Sequence, residues 1–138
     1  MAILDKLLGI IEDMTKKLDD FVEHGYDLNN WRDQLALMHA LQVQVQAFID
    51  LCQRLLSNMG IAVEGYSGIA RRLREADLVT SDEESFVKSL VGFRNVVVNG
   101  YANLDLNVIN EILRSRSYRR VLELTLALRD RARQYWDP

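Results

Sequence analysis

A single cysteine and a single proline stand among the 138 residues, and the proline, Pro138, is the last of them. One cysteine excludes a disulfide within the chain and any four-ligand zinc site based on cysteine, so Cys52 reads as a small core residue. With proline confined to the last position and only seven glycines, no helix interior meets the residue that most disrupts helices. Sustained two-residue alternation bounded by hairpin turns is missing as well. An all-α fold is expected, as one domain spanning 1–138 that is large enough to bury a core and too small to divide comfortably.

Long apolar runs are equally scarce. The apolar start from Met1 to Ile11 is broken by Asp5 and Lys6 and followed by Glu12 and Asp13, well before membrane-spanning length. Neither an export signal nor a membrane contact is expected, and a reducing, cytoplasmic location is the default. No glycine-rich phosphate loop occurs, so the chain is not expected to bind ATP or another cofactor by itself. His24 and His39 are the only histidines; they lack the four-residue spacing of a metal-binding pair and read as surface or boundary residues, so no metal site is expected. Asp19-Asp20 reads as a solvated face, and Asp82-Glu83-Glu84 as helix capping.

The formal net charge is -3, which argues against coating nucleic acid by bulk electrostatics but permits a local basic groove. The charge is unevenly placed. Residues 1–69 carry 5 Lys/Arg against 10 Asp/Glu, and residues 70–138 carry 12 against 10. An RNA-facing surface would therefore draw on the second half.

Apolar spacing predicts about five helices. The first runs from about Ile3 to Glu23, with Leu7, Ile11, Met14 and Leu18 on one stripe. Turn and capping residues from His24 to Asn30 precede a second, Trp31 to Asn58, roughly 40 Å long at 1.5 Å per residue. Leu35, Met38, Leu41, Val45, Phe48 and Cys52 make it the spine of the core; Gln42, Gln44 and Gln46 are expected to face solvent or an interface, and part of the helix a second subunit. A short third helix, about Gly68 to Ala76, has Ile69 and Leu73 inward and Arg71, Arg72 and Arg74 outward. Thr80-Ser81-Asp82-Glu83-Glu84 offers two overlapping capping boxes for a fourth helix. That helix buries Phe86, Val87, Leu90 and Phe93 and runs to about Val98, where Asn99-Gly100 suits a helix end. The last helix is expected from a cap at Asn103 or Asp105 to about Tyr135. Arg114-Ser115-Arg116-Ser117-Tyr118-Arg119-Arg120 interrupts its pattern, and whether the chain bends there is left open.

The segment Gly92-Phe93-Arg94-Asn95-Val96-Val97-Val98-Asn99-Gly100-Tyr101-Ala102-Asn103-Leu104-Asp105 resembles the signature of HEPN-domain toxins of the HepT type. In that family an Arg-Asn pair is followed by three mostly apolar residues, a histidine, one variable residue and a tyrosine, with a Leu-Asp or similar pair downstream. Arg94, Asn95, Tyr101 and Leu104-Asp105 match; Asn99 stands where the family has histidine. The stretches ALQVQVQAFIDLC (40–52) and GIARRLREADLVT (68–80) also look like the family, and the resemblance covers most of the chain from about Asp27 onward.

The resemblance implies an antiparallel helical bundle and a metal-independent endoribonuclease, working without cofactor at a composite cleft on a homodimer. Arginine and histidine would be catalytic, and Asn95 supporting. A histidine can take or give the proton of a ribose hydroxyl, while an arginine holds phosphate through two parallel hydrogen bonds. Asn99 cannot ionise in the accessible range, so this chain is expected to be a poor ribonuclease. A degenerate natural member and a deliberate replacement that permits production of a toxic protein both account for it. The resemblance also implies a partner, a nucleotidyltransferase antitoxin of the MNT type, with Tyr101 as its AMP acceptor. Arg71, Arg72, Arg74, Arg114, Arg116, Arg119 and Arg120 are candidates for guiding RNA, or for binding an acidic patch on the antitoxin. Two rivals remain: a non-catalytic helical adaptor, and the substrate-binding subunit of a nucleotidyltransferase.

Overall fold

In the computed structural model, which describes residues 2–98 and 105–137, six α-helices and a terminal 3-10 turn follow one another, and no strand occurs among the described residues. The helices are α1 (Ile3–His24), α2 (Trp31–Asn58), α3 (Ile69–Glu75), α4 (Ser81–Val98), α5 (Leu106–Ser115) and α6 (Arg119–Arg131). Their starts carry local signals. Asn30 accepts from the amides of Arg32 and Asp33 to cap α2, and Asp105 accepts from Asn107 to cap α5. Thr80 and Glu83 bond each other's backbone amides reciprocally at the start of α4, which satisfies two donors that a helix start leaves orphaned.

α1 runs antiparallel to α2. Leu4 at the start of α1 shares a buried cluster with Leu55 and Leu56 at the end of α2, and Leu18 shares another with Leu37 and Met38. The larger cluster continues through Phe48, Cys52, Ile69, Leu73, Val87, Leu90, Val121 and Leu128; the smaller takes in Ile109, Leu113 and Tyr118. Phe93 packs against both, so α4 is anchored one residue before Arg94. α2 is long and apolar enough to cross a membrane by length and composition, but 61% of that stretch is buried within the fold. Its second turn differs from expectation: Leu35 is half exposed, while Leu37 supplies the buried contact.

The final helix is two helices rather than one. Arg116 adopts a left-handed conformation, φ 57° and ψ 30°, and its amide bonds back to Ile112 and Leu113. For a residue with a Cβ this costs about 1 kcal/mol or more. Burial of Tyr118, 2% exposed, and its hydroxyl bond to Asp19 hold the turn in place. Asp19 is therefore no solvated carboxylate. It accepts from Tyr118 and from Arg119 Nε at 2.9 Å, and Arg116 lies 3.6 Å away. Burial would push its pKa up, but the bonds from Arg119 and Tyr118, with the two arginine charges, hold it below its ordinary value. Burial and the bond to Asp19 push the Tyr118 phenol up.

Gln44 also departs from its expected exposure. It is fully buried, donating from Nε2 to Thr15 Oγ1 and to the Tyr118 carbonyl, both at 3.0 Å. One polar side chain thus ties α1, α2 and the α5–α6 turn together inside the core, where each bond is strengthened by the low local dielectric. At the far end of the molecule, Asp137 accepts from the amides of Leu4 and Asp5 and closes the start of α1.

Candidate functional site

The register of α4 decides where Arg94 emerges. Val87, Leu90, Val91 and Val97 are buried, so the neighbouring stripe carrying Arg94 lies at the boundary of the core, facing α2 and the 61–68 connection. Gly65 takes φ +66°, a conformation that a side chain would strain, and the turn it makes leads into Tyr66. The Arg94 guanidinium carbon sits 4.3 Å from the centroid of the Tyr66 ring, within the range of a favourable cation–π contact.

Two hydrogen bonds complete the setting. Arg94 donates from Nε to Gln46 Oε1 and from Nη1 to Asn95 Oδ1, each at 3.1 Å. Gln46 in turn donates from Nε2 to Asp50 Oδ1 at 2.9 Å. Arg94 is half-buried, and among the described residues no carboxylate pairs with it. No direct ion pair among the described residues neutralises it, so its charge is open to an anion, in a position where partial burial reduces screening.

The structure brings Arg94 and Asn95 together, and adds Gln46, Asp50 and Tyr66, which sequence reasoning did not single out as site residues. The four-residue Gln46–Asp50 spacing was the available signal, since it puts both on one helix face. Asn99 and Tyr101 lie outside the described residues. The other arginines are engaged elsewhere: Arg71 and Arg72 with Glu75, Arg74 with the Val79 carbonyl at 3.5 Å, Arg114 with Glu111, Arg116 and Arg119 with Asp19, and Arg120 over the Phe86 ring. Among the described contacts none of them shares a partner with Arg94. His24 and His39 are exposed, and no group of three or more His, Cys, Asp or Glu residues that could hold a metal occurs among the described residues.

Comparison with known proteins agrees with this architecture. One chain of a toxin–antitoxin crystal structure with AMP-PNP superposes with a TM-score of 0.78 at 17% identity, covering 91% of this chain and 98% of that one. A chain from the complex of a tri-AMPylated Shewanella oneidensis HEPN toxin with an MNT antitoxin superposes at 0.77 and 18%, covering 91% and 97%. The Bacillus subtilis protein YutE, described as cytosolic and of unknown function, superposes at 0.78 and 20%, covering 100% and 97%. At such identities these likenesses establish the fold. No curated protein matches the chain in sequence. The model of the family described as ribonuclease HepT-like matches residues 7–125. With that match spanning well over half of its length, the chain belongs to the HepT-like ribonuclease family.

Proposed function

We propose that this chain is the toxin component of a toxin–antitoxin pair, an endoribonuclease scaffold in which Arg94 holds the RNA phosphate. The observation that carries the reading is the half-buried Arg94, stacked on Tyr66 and bonded to neutral groups at the position where the family motif begins. A guanidinium so placed pairs with a phosphate through two N–H groups and stabilises the charge that accumulates during cleavage, with no metal required. The second catalytic position is Asn99. Its amide hydrogen-bonds but transfers no proton, and general acid–base assistance is worth about 10²–10⁴-fold. The chain as it stands is a weak nuclease.

The active unit in this reading is a homodimer with Arg94 and position 99 of each subunit facing one cleft. Residues five apart on a helix point about 140° away from each other, so a helix end or a second subunit must bring the two into one site. The partner is a nucleotidyltransferase antitoxin. It transfers AMP from ATP to the Tyr101 hydroxyl with release of pyrophosphate, which puts bulk and negative charge beside the phosphate site. That two structural neighbours come from toxin–antitoxin complexes, one of them with an AMPylated toxin, supports this part of the reading.

Asn99 itself favours a second reading, a non-catalytic adaptor that keeps the scaffold. An RNA-cleavage and growth assay on the chain and its Asn99→His form, each with and without Arg94→Ala, separates them. Arginine-dependent cleavage and toxicity in Asn99→His establish the nuclease reading. A folded, dimeric Asn99→His protein that cleaves nothing overturns it in favour of the adaptor.

A further inference from the structure

Arg94 is held by Gln46, Asn95 and Tyr66, and Gln46 is held in turn by a residue that has no contact with Arg94 among the described interactions. Gln46 offers Arg94 its carbonyl oxygen while its amide nitrogen is engaged by Asp50. The two ends of a side-chain amide are nearly equal in size, so without Asp50 they exchange at little steric cost. The exchange would turn an NH2 group toward a guanidinium that has only donors, and the Nε bond would be lost. Asp50 and Gln46 lie one turn apart on α2, the spacing that lets such a pair meet. The Asp50 carboxylate bonds the amide rather than the guanidinium, so the orienting charge is kept one residue away from Arg94.

We propose that Asp50 and Gln46 form a positioning relay for Arg94. Asp50 fixes the amide of Gln46, Gln46 fixes the guanidinium through Nε, and Tyr66 fixes its plane; Nη1 gives one N–H to Asn95, which leaves its second N–H and the two on Nη2 for an RNA phosphate. The inference rests on the reading of Arg94 as the phosphate-holding group. A neutral amide is the suited intermediate. A carboxylate at position 46 would orient the arginine equally well but cancel the charge that attracts the anion.

The relay and simple electrostatics give opposite signs for one substitution. Removing the negative charge of Asp50 makes the site more positive, which by itself tightens RNA binding; losing the relay loosens it. The experiment measures binding of a short fluorescein-labelled single-stranded RNA by anisotropy, with this Asn99-bearing chain so that turnover is minimal, and with thermal melts to verify folding. Asp50→Ala is expected to weaken binding about tenfold, the low end of the range for a lost hydrogen bond to a charged group. Asp50→Asn, which keeps an acceptor oxygen without the charge, restores binding to the starting level or tighter. In an Arg94→Ala background Asp50→Ala adds nothing, because the relay acts only through Arg94. Gln46→Leu reproduces the Asp50→Ala loss and serves as the second variant if Asp50→Ala folds poorly. Unchanged or tighter binding in Asp50→Ala and in Gln46→Leu, with a clear loss in Arg94→Ala, overturns the relay alone. No loss in Arg94→Ala overturns the phosphate-holding reading and the relay with it.

Discussion

Two arginine clusters in this molecule are built on opposite principles. At the α5–α6 turn, Arg116 and Arg119 meet the carboxylate of Asp19 directly, and Tyr118 adds its hydroxyl. At the end of α4, Arg94 meets an amide oxygen, a second amide oxygen and an aromatic ring. Both arrangements fix side chains in space. The first spends the cationic charge on holding the fold, whereas the second orients a guanidinium with no direct carboxylate partner among the described residues, which suits an anion-binding site. Arg74 and Arg120 also meet neutral groups, a carbonyl and a ring; Arg94 differs from them in lying within the family motif and in being held by two side-chain amides.

The comparison can be broken most severely at Gln46. Gln46→Glu converts the neutral setting into a charged one, and RNA affinity is expected to fall about tenfold, or roughly 1.4 kcal/mol, with little change in thermal midpoint. Equilibrium binding and melting curves check this, and a stable protein with full affinity would show that the neutral partner is irrelevant. At the other cluster, Tyr118→Phe removes a half-buried hydrogen bond to a carboxylate and is expected to cost about 1–2 kcal/mol of unfolding free energy in urea titrations, without loss of RNA binding. Asp19→Asn goes further, since it weakens the hold on Arg116 and Arg119; the protein should lose stability while its RNA affinity stays level or rises.

Acid should expose the same division. Asp19 is held below its ordinary value of 3.8. Glu83, bonded by a forked contact to Arg131 and by the Thr80 amide, is held below 4.5, with the Arg131 bond as the main cause. Carboxylates whose folded pKa is depressed contribute stability above the unfolded pKa, and that contribution is lost as pH falls through the folded value. Stability in urea should therefore be level down to about pH 5 and fall below pH 4, and Glu83→Gln should flatten that decline. The smallest effect belongs to Arg71→Ala. Its ion pair with Glu75 is exposed on both sides, so unfolding free energy should move by less than about 0.5 kcal/mol.

Much of the fold was legible because its signals are local. The bounds of α2, the Asn30 and Asp105 caps and the Thr80–Glu83 box follow from residues within one turn of each other. The α5–α6 break was visible only as an interruption, because a left-handed Arg116 carries no glycine or asparagine to announce it. Gln44 and Asp19 were misjudged for one reason. Each looks solvent-facing beside its neighbours and becomes internal only when α1, α2 and the turn at Tyr118 pack together.

The sequence by itself determined the helical class, the order of elements and the family, because apolar periodicity, capping chemistry and a short motif are properties of neighbouring positions. Only the tertiary structure decided which arginines meet a carboxylate and which meet neutral groups. Gln46 and Arg94 are 48 positions apart, Asp19 and Arg119 are 100, and electrostatic pairing depends on distance through space, which packing sets and spacing along the chain does not.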